Sequence, residues 1–245
     1  IPEGSPEWVR GDVEPVQYYT TNGYTKPWLP GDEQARELLH GHLASLSFMD
    51  AQIGRLLEAL RSAGKLEKTL IVITSDHGFS DGRHRYFGKH NLWDDSQHVP
   101  LIISIPEAEN GESRRGDSSI EGVTEHLQLY PGLCTLCGLP QPKHLEGRSI
   151  TAPGKGYAFS HRRPMWHDRI RAYSIAHGVR SDRARLNVYT EESGTVLYEE
   201  LFDYRSDPEE SKNLAQDPAY HRMRDEMRGA LLDLLSRYGC RLDFD

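Results

Sequence analysis

The feature that most constrains this chain is the run Thr69-Leu70-Ile71-Val72-Ile73-Thr74, β-branched and apolar with no polar residue alternating along it. A strand solvated on one face alternates; one without alternation is covered on both faces, as in a parallel sheet flanked by helices. A second run, Val99-Pro100-Leu101-Ile102-Ile103-Ser104-Ile105, has the same character, with Pro100 near its start where a missing N–H is tolerable. Ahead of the first run, Leu39, Leu43, Leu46, Met49, Ile53, Leu56 and Leu60 recur at three- and four-residue steps. That spacing predicts a long helix from Glu33, with Asp32 as its cap and Gly64 closing it. A long helix feeding a doubly buried strand is an α/β unit.

The flanking regions read differently. Residues 1–30, rich in Pro, Gly, Tyr and Trp, show no sustained period and read as an irregular segment, and the charged, Gly-rich stretch 107–122 reads as a surface excursion. A helix is expected from Thr124 to Cys137, stopped by Gly138-Leu139-Pro140. Beyond residue 150 the short segments Gly156–Ser160, Ala172–His177, Leu186–Tyr189 and Val196–Phe202 suggest an antiparallel meander. A final amphipathic helix follows, entered at Asp217-Pro218 and packed through Met223, Met227, Leu231 and Leu234. The expected architecture is therefore α/β: part of a large mixed or mainly parallel sheet flanked by helices over 1–150, then a small antiparallel sheet with a terminal helix over 151–245.

Composition narrows the partners. No run of 18 apolar residues exists in the 245, so a membrane-spanning helix is not expected. The balance of 29 basic against 37 acidic side chains, a net charge of -8, repels a polyanionic backbone, so nucleic acid is not an expected partner either. Cys134, Cys137 and Cys240 form neither an even disulfide set nor two CxxC pairs for a structural zinc. Cys134 and Cys137 sit inside an apolar helical run and are expected to pack rather than react. The opening Ile1-Pro2-Glu3-Gly4 carries neither an initiator Met nor a leader, which suggests a processed or truncated chain.

The densest chemistry follows the first strand: Ser75-Asp76-His77-Gly78-Phe79-Ser80-Asp81-Gly82-Arg83-His84-Arg85-Tyr86-Phe87-Gly88-Lys89-His90. Open α/β sheets place ligands at the carboxyl ends of their strands, where Asp76 and His77 stand. A carboxylate beside an imidazole suits a divalent cation; His77 alone favours zinc, and a carboxylate-rich shell favours calcium or magnesium. Lys89, with Arg83, His84 and Arg85 before it, adds the positive charge a hydrolase needs beside a developing oxyanion. The plainer alternative is that Asp-His-Gly is a turn and the basic side chains face solvent.

Several stretches, in order along the chain, together resemble the sulfatase family of alkaline-phosphatase-like metallohydrolases. They are Ser45-Leu46-Ser47-Phe48-Met49-Asp50-Ala51-Gln52-Ile53-Gly54-Arg55-Leu56-Leu57, Thr74-Ser75-Asp76-His77-Gly78, Gly88-Lys89-His90-Asn91-Leu92-Trp93 and His98-Val99-Pro100-Leu101-Ile102. Leu201-Phe202-Asp203-Tyr204, Asp207-Pro208-Glu209-Glu210 and Asn213-Leu214 look like the family's closing signature. The similarity is strongest to the iduronate-2-sulfatase-like branch and covers only the family's C-terminal part. It implies that Asp76 and His77 bind calcium, or zinc or manganese if the chain is instead a phosphomonoesterase or phosphodiesterase of the superfamily. It further implies that Lys89 contacts sulfate as a catalytic and substrate-binding residue, with Phe79, His84 and Trp93 as candidate pocket walls. His98 matches a position that is often basic, with a structural or a catalytic role.

The family's nucleophile is a formylglycine made in a Cys/Ser-x-Pro/Ala-x-Arg motif. None of the three cysteines has that context, and the paired aspartates completing the calcium shell are also missing. The resemblance therefore implies a partner, the N-terminal part of the same enzyme, and as substrate a small sulfated carbohydrate or other sulfate ester. It implies a periplasmic or extracellular setting, and leaves a catalytically inert interaction fragment as the third reading.

Overall fold

The computed structural model describes residues 2–6, 31–106, 119, 122–147, 149–150, 156–167 and 172–244. The segments expected to be irregular at 1–30 and 107–122 fall mostly outside them. Helix α1 spans Asp32–Ser62, with Asp32 and Glu33 in the first turn, where carboxylates complement the helix dipole. Gly31 rather than Asp32 is the cap: the Gln34 side chain reaches back to the Gly31 N–H at 3.1 Å, which leaves no capping task for Asp32. Gly64, at φ +64°, takes the left-handed turn that ends the helix.

Strands β1 (Ile71–Thr74) and β4 (Leu101–Ser104) pair with each other, antiparallel, in the register Ile71↔Ser104 to Thr74↔Leu101. The two unalternating runs are thus direct neighbours of opposite direction, and the described pair is antiparallel rather than parallel. Their lack of alternation predicts cover on both faces, yet Ile102 is 58% exposed. Along α1, Leu43, Phe48, Met49 and Leu56 are exposed as well, and among the described residues the helix touches the rest mainly through Ala35 and Leu38 on Phe87 and His42 on Phe79. Apolar surface of this extent and spacing is the pattern of an element whose covering layer lies beyond the described residues.

Between them, β2 (Ser80–Asp81) and β3 (Phe87–Gly88) form a two-residue ladder that closes the loop Gly82–Tyr86, and α2 (Asp94–Gln97) is a single turn. A short 3₁₀ turn at His126–Gln128, capped by the Gln128 side chain accepting from the Glu125 N–H at 2.9 Å, leads into α3 (Leu129–Leu136), so the α-helix is shorter than the one expected from Thr124. Cys134 is buried as expected; Cys137 is exposed, and both are free thiols.

The meander is β5 (Ala158–His167), β6 (Ala172–Arg180), β7 (Ala184–Thr190) and β8 (Val196–Asp203), antiparallel in chain order. Its third strand is covered on both faces, with every residue of β7 buried. Alternation sorts them. Leu186 and Val188 face α4 (His221–Arg237), packing with Val179, Leu201, Met227, Leu231 and Leu235. Tyr189 faces the other way, packing with Ala176 and Phe202 against Tyr86, Leu92 and Trp93 of the segment that follows β1. On α4 the buried ridge is Met227, Leu231 and Leu235, four residues apart; Leu234, expected in that core, is only half-buried because it falls off the ridge.

A polar cluster locks this second face. The buried Arg185 guanidinium donates to Leu92 O at 2.9 Å, Asp94 Oδ1 at 2.8 Å and the Tyr204 hydroxyl at 2.9 Å, and lies 3.1 Å from Glu210 Oε1. Burial opposes its charge, yet Tyr204, Glu210 and Asp94 around it raise its pKa above the usual arginine value. Burial pushes the Glu210 carboxyl up to about 7 even though Arg185 pulls the other way. Arg185→Met should therefore cost about 3–5 kcal/mol in chemical denaturation, the scale for leaving the partners of a buried charge uncompensated. Glu210→Gln tests the titration. A folded carboxyl raised from 4.5 toward 7 binds more protons than the unfolded chain in that window, so its contribution falls as pH rises through it. The Gln variant should gain on wild type between about pH 5 and 8, and a difference in unfolding free energy independent of pH would refute the assignment.

Candidate active site

Strand β1 ends at Thr74 and hands the chain directly to Ser75-Asp76-His77-Gly78. The turn is held by its own polar groups: Ser75 Oγ donates to His77 O at 2.7 Å, and the His77 N–H donates to Asp76 Oδ1 at 3.0 Å. Gly78 fixes its distance from α2. Its N–H donates to Ser96 O at 2.9 Å, and a Cβ there would stand 2.1 Å from Asp95 O, so no other residue fits without displacing backbone.

Three of the residues singled out in the sequence meet here. His77 Nδ1 lies 2.8 Å from Gly78 O, and Nε2 lies 2.6 Å from Lys89 Nζ and 3.5 Å from Asp76 Oδ2. A carbonyl only accepts and an ammonium only donates, so Nδ1 carries the proton and the Nε2 lone pair faces Lys89. Asp76 is 84% exposed and His77 is partly exposed. Both line an open cleft of about 1240 Å³ that also takes in Thr74, Gln97, His98 and Arg180.

Asp76 Oδ2 and His77 Nε2 are donors of the types divalent ions use, close enough together to share one ion. Among the described residues no set of three His, Cys, Asp or Glu side chains converges at this or any other place. Lys89 occupies the Nε2 lone pair, and an ion binding there must displace it.

The expected pocket walls are placed otherwise. Trp93 is 0% exposed; its indole N–H donates to Glu200 Oε2 at 3.2 Å and its ring meets Tyr86 edge-on, so it has no surface to offer a substrate. His84, at a φ of +54°, sets its ring 4.7 Å from Trp93, and burial lowers its pKa to about 4, with Arg83 adding to the effect. Phe79 packs edge-on to His42 of α1 at 5.5 Å. All three followed the aromatic content of the motif, and in this structure that content joins the loop to its supports.

Sequence reasoning missed what stands behind the loop. Asp94 Oδ2 accepts from His98 at 3.3 Å, while Oδ1 accepts from Arg180 at 3.3 Å and Arg185 at 2.8 Å. Burial works against the Asp94 charge, but His98, Arg185 and Arg180 hold it well below the usual carboxylate range, and in return Asp94 raises the His98 pKa. The two arginine partners of Asp94 lie 86 and 91 residues further on, and no spacing rule links them to it.

Comparison with known proteins shows the family. The chain matches the Sulfatase family over residues 14–139 and the family "N-sulphoglucosamine sulphohydrolase, C-terminal" over residues 82–237. The chain belongs to the sulfatase family. It is 28% identical to arylsulfatase K of Bos taurus over 232 residues, covering 88% of this chain and 39% of that protein, so it spans about two fifths of that relative's length. Among solved structures, BT1596, a 2-O GAG sulfatase, is 27% identical with a TM-score of 0.74, covering 89% of this chain and 48% of its own. BT4656, solved in complex with its substrate D-glucosamine-2-N,6-O-disulfate, is 25% identical with a TM-score of 0.69, covering 86% of this chain and 44% of its own. A phosphonate monoester hydrolase from Silicibacter pomeroyi also superposes, at 27% identity and a TM-score of 0.63, over 77% of this chain and 38% of its own.

Gly78→Ala should destabilise the chain by about 1–3 kcal/mol, the range for forcing a methyl into packed backbone. It should also shift the His77 imidazole resonances. A thermal midpoint and a His77 spectrum both equal to wild type would show that the close approach to Asp95 does not hold the turn.

Proposed function

We infer that this chain supplies the C-terminal share of a sulfuric ester hydrolase acting on a sulfated carbohydrate. The observation that carries this reading is the meeting of Asp76, His77 and Lys89 at the end of β1, in a chain of the sulfatase family. The substrate bound to BT4656 and the description of BT1596 support a sulfated sugar.

On this reading Asp76 and His77 are two of the ligands of a calcium ion, which when bound supplies positive charge to the sulfate oxygens. Asp76, exposed on the cleft wall, presents its carboxylate without further rearrangement. The Nδ1–H bond to Gly78 O keeps the Nε2 lone pair of His77 in its metal-binding tautomer. Lys89, on a flexible stem, transfers its N–H from His77 to a sulfate oxygen and offsets the charge that grows as the ester bond breaks. The remaining ligands and the nucleophile, a formylglycine, come from the N-terminal portion of the enzyme. Phe79 and His84 support the loop rather than touch the substrate. The phosphonate hydrolase neighbour favours one competing reading, a phosphoester or phosphonate hydrolase in which Asp76 and His77 hold zinc or manganese.

In an active enzyme containing this chain, Lys89→Ala should lower kcat for an aryl sulfate by about 10²-fold or more while leaving bound calcium in place. Asp76→Asn should instead lower metal occupancy, measured by elemental analysis. Undiminished turnover in Lys89→Ala, or unchanged occupancy in Asp76→Asn, would remove that residue from its role. A kcat/KM higher for the matching phosphonate than for the sulfate would favour the competing reading.

A further inference from the structure

On the opposite face of the C-terminal sheet from the Lys89 loop stands a pair of histidines that the proposed chemistry does not use. His161 on β5 and His177 on β6 are direct cross-strand partners. They share the sheet face of Phe159 and Val179, which pack with α4, whereas Ala176 and Tyr189 on the other face pack against Trp93. His177 is 8% exposed and His161 is exposed, so one imidazole is anchored in the fold and the other opens the pair to solvent.

The spacing of the two rings is specific. The Nδ1 atoms are 3.4 Å apart, with ring centroids at 5.0 Å and ring planes at 58°. As a hydrogen bond, 3.4 Å is long, since N–H donors typically sit about 2.9–3.0 Å from their acceptors. Two ligands bound at about 2.0–2.1 Å to one tetrahedral ion, by contrast, lie about 3.4 Å apart. Burial lowers the pKa of both rings, to about 4 for His177, with His161 adding to the effect there and Arg162 adding to it at His161. Both are thus neutral near pH 7, the form in which an imidazole binds a metal without first losing a proton. Neither shift carries a carboxylate contribution, and two nitrogen donors without a carboxylate suit the late first-row ions rather than calcium or magnesium.

We propose that His161 and His177 form a binding site for a divalent transition-metal ion of the zinc and copper class, coordinated through both Nδ1 atoms. Among the described residues no third His, Cys, Asp or Glu joins them, so solvent completes the shell. The ion bridges β5 and β6 and leaves coordination positions open toward water. The site is independent of the Asp76–His77 pair, which stands on the loop after β1 and belongs to the proposed reaction.

The test uses the full 245-residue chain in a buffer that does not chelate metals. Zinc is titrated against a chromophoric indicator into wild type, His161→Gln and His77→Gln. The exposed position of His161 makes its variant the one expected to stay folded, which circular dichroism checks. His161→Gln should weaken one zinc site by about tenfold or more, at least the loss seen when a supporting partner of a metal ligand is removed. His77→Gln should leave that site intact. On wild type itself, one equivalent of zinc should shift the Nδ1 resonances of His161 and His177 together, and one equivalent of copper(II) should give an electron paramagnetic resonance spectrum with two nitrogen ligands. Equal zinc affinity in His161→Gln and wild type, loss of the site only in His77→Gln, or unshifted Nδ1 resonances would overturn the proposal and leave the pair a hydrogen-bonded contact between strands.

Discussion

One buried guanidinium organises the described structure. Arg185 projects from the middle of the C-terminal sheet into the segment that follows β1, where it satisfies a main-chain carbonyl, two carboxylates and a tyrosine hydroxyl. Water cannot replace these contacts, because both the guanidinium and Glu210 are essentially inaccessible. A charge buried so deeply is tolerable only when its partners are complete. The position of residues 91–97 relative to the sheet is therefore set by an all-or-none arrangement.

That arrangement explains the chemistry of the closing motif around Asp203 and Asn213. Glu210 accepts the Asp94 N–H at 2.8 Å and sits 2.6 Å from the Tyr204 hydroxyl, so its carboxylate caps the turn that carries Asp94. Its backbone adopts a φ of +54°, uncommon for a residue with a side chain, and those buried hydrogen bonds hold it there. Asn213 accepts from the Leu201 and Ala215 N–H groups, both at 2.9 Å, tying the outgoing chain back to β8. These residues brace the segment behind the loop that carries Asp76 and His77.

The loop is thus clamped from two sides. Gly78 presses it onto α2, and α2 is fixed through Asp94 to Arg185 and Arg180 on the sheet. Trp93 fills the space between, its ring in the core and its N–H on the buried Glu200, which also accepts from Tyr189 at 3.0 Å and Ser5 at 2.6 Å. Rigid support of this kind lets Asp76 and His77 keep a fixed backbone although they lie in an exposed loop, while Lys89 reaches them on a flexible side chain. On α1 and β4, by contrast, Leu43, Phe48, Met49, Leu56 and Ile102 stay exposed among the described residues.

Local pattern was enough to place α1, both unalternating strands, the four-strand meander and the terminal helix, because period and turn chemistry act over a few residues. It also put Asp76, His77 and Lys89 in one polar loop, since Lys89 follows thirteen residues after Asp76 at the end of a strand. It misread Trp93 as a pocket wall and Leu234 as core, because an aromatic ring in a motif and a leucine on a helix are the same residues whether they face a ligand, a core or solvent. Which strands became neighbours, that β1 and β4 run in opposite directions, and that Arg185, Asp94 and Glu210 converge were settled only in the tertiary structure. Buried ion pairs and strand order depend on groups dozens to more than a hundred residues apart, and desolvation, which decides whether such charges can stay together, exists only once the chain has folded around them.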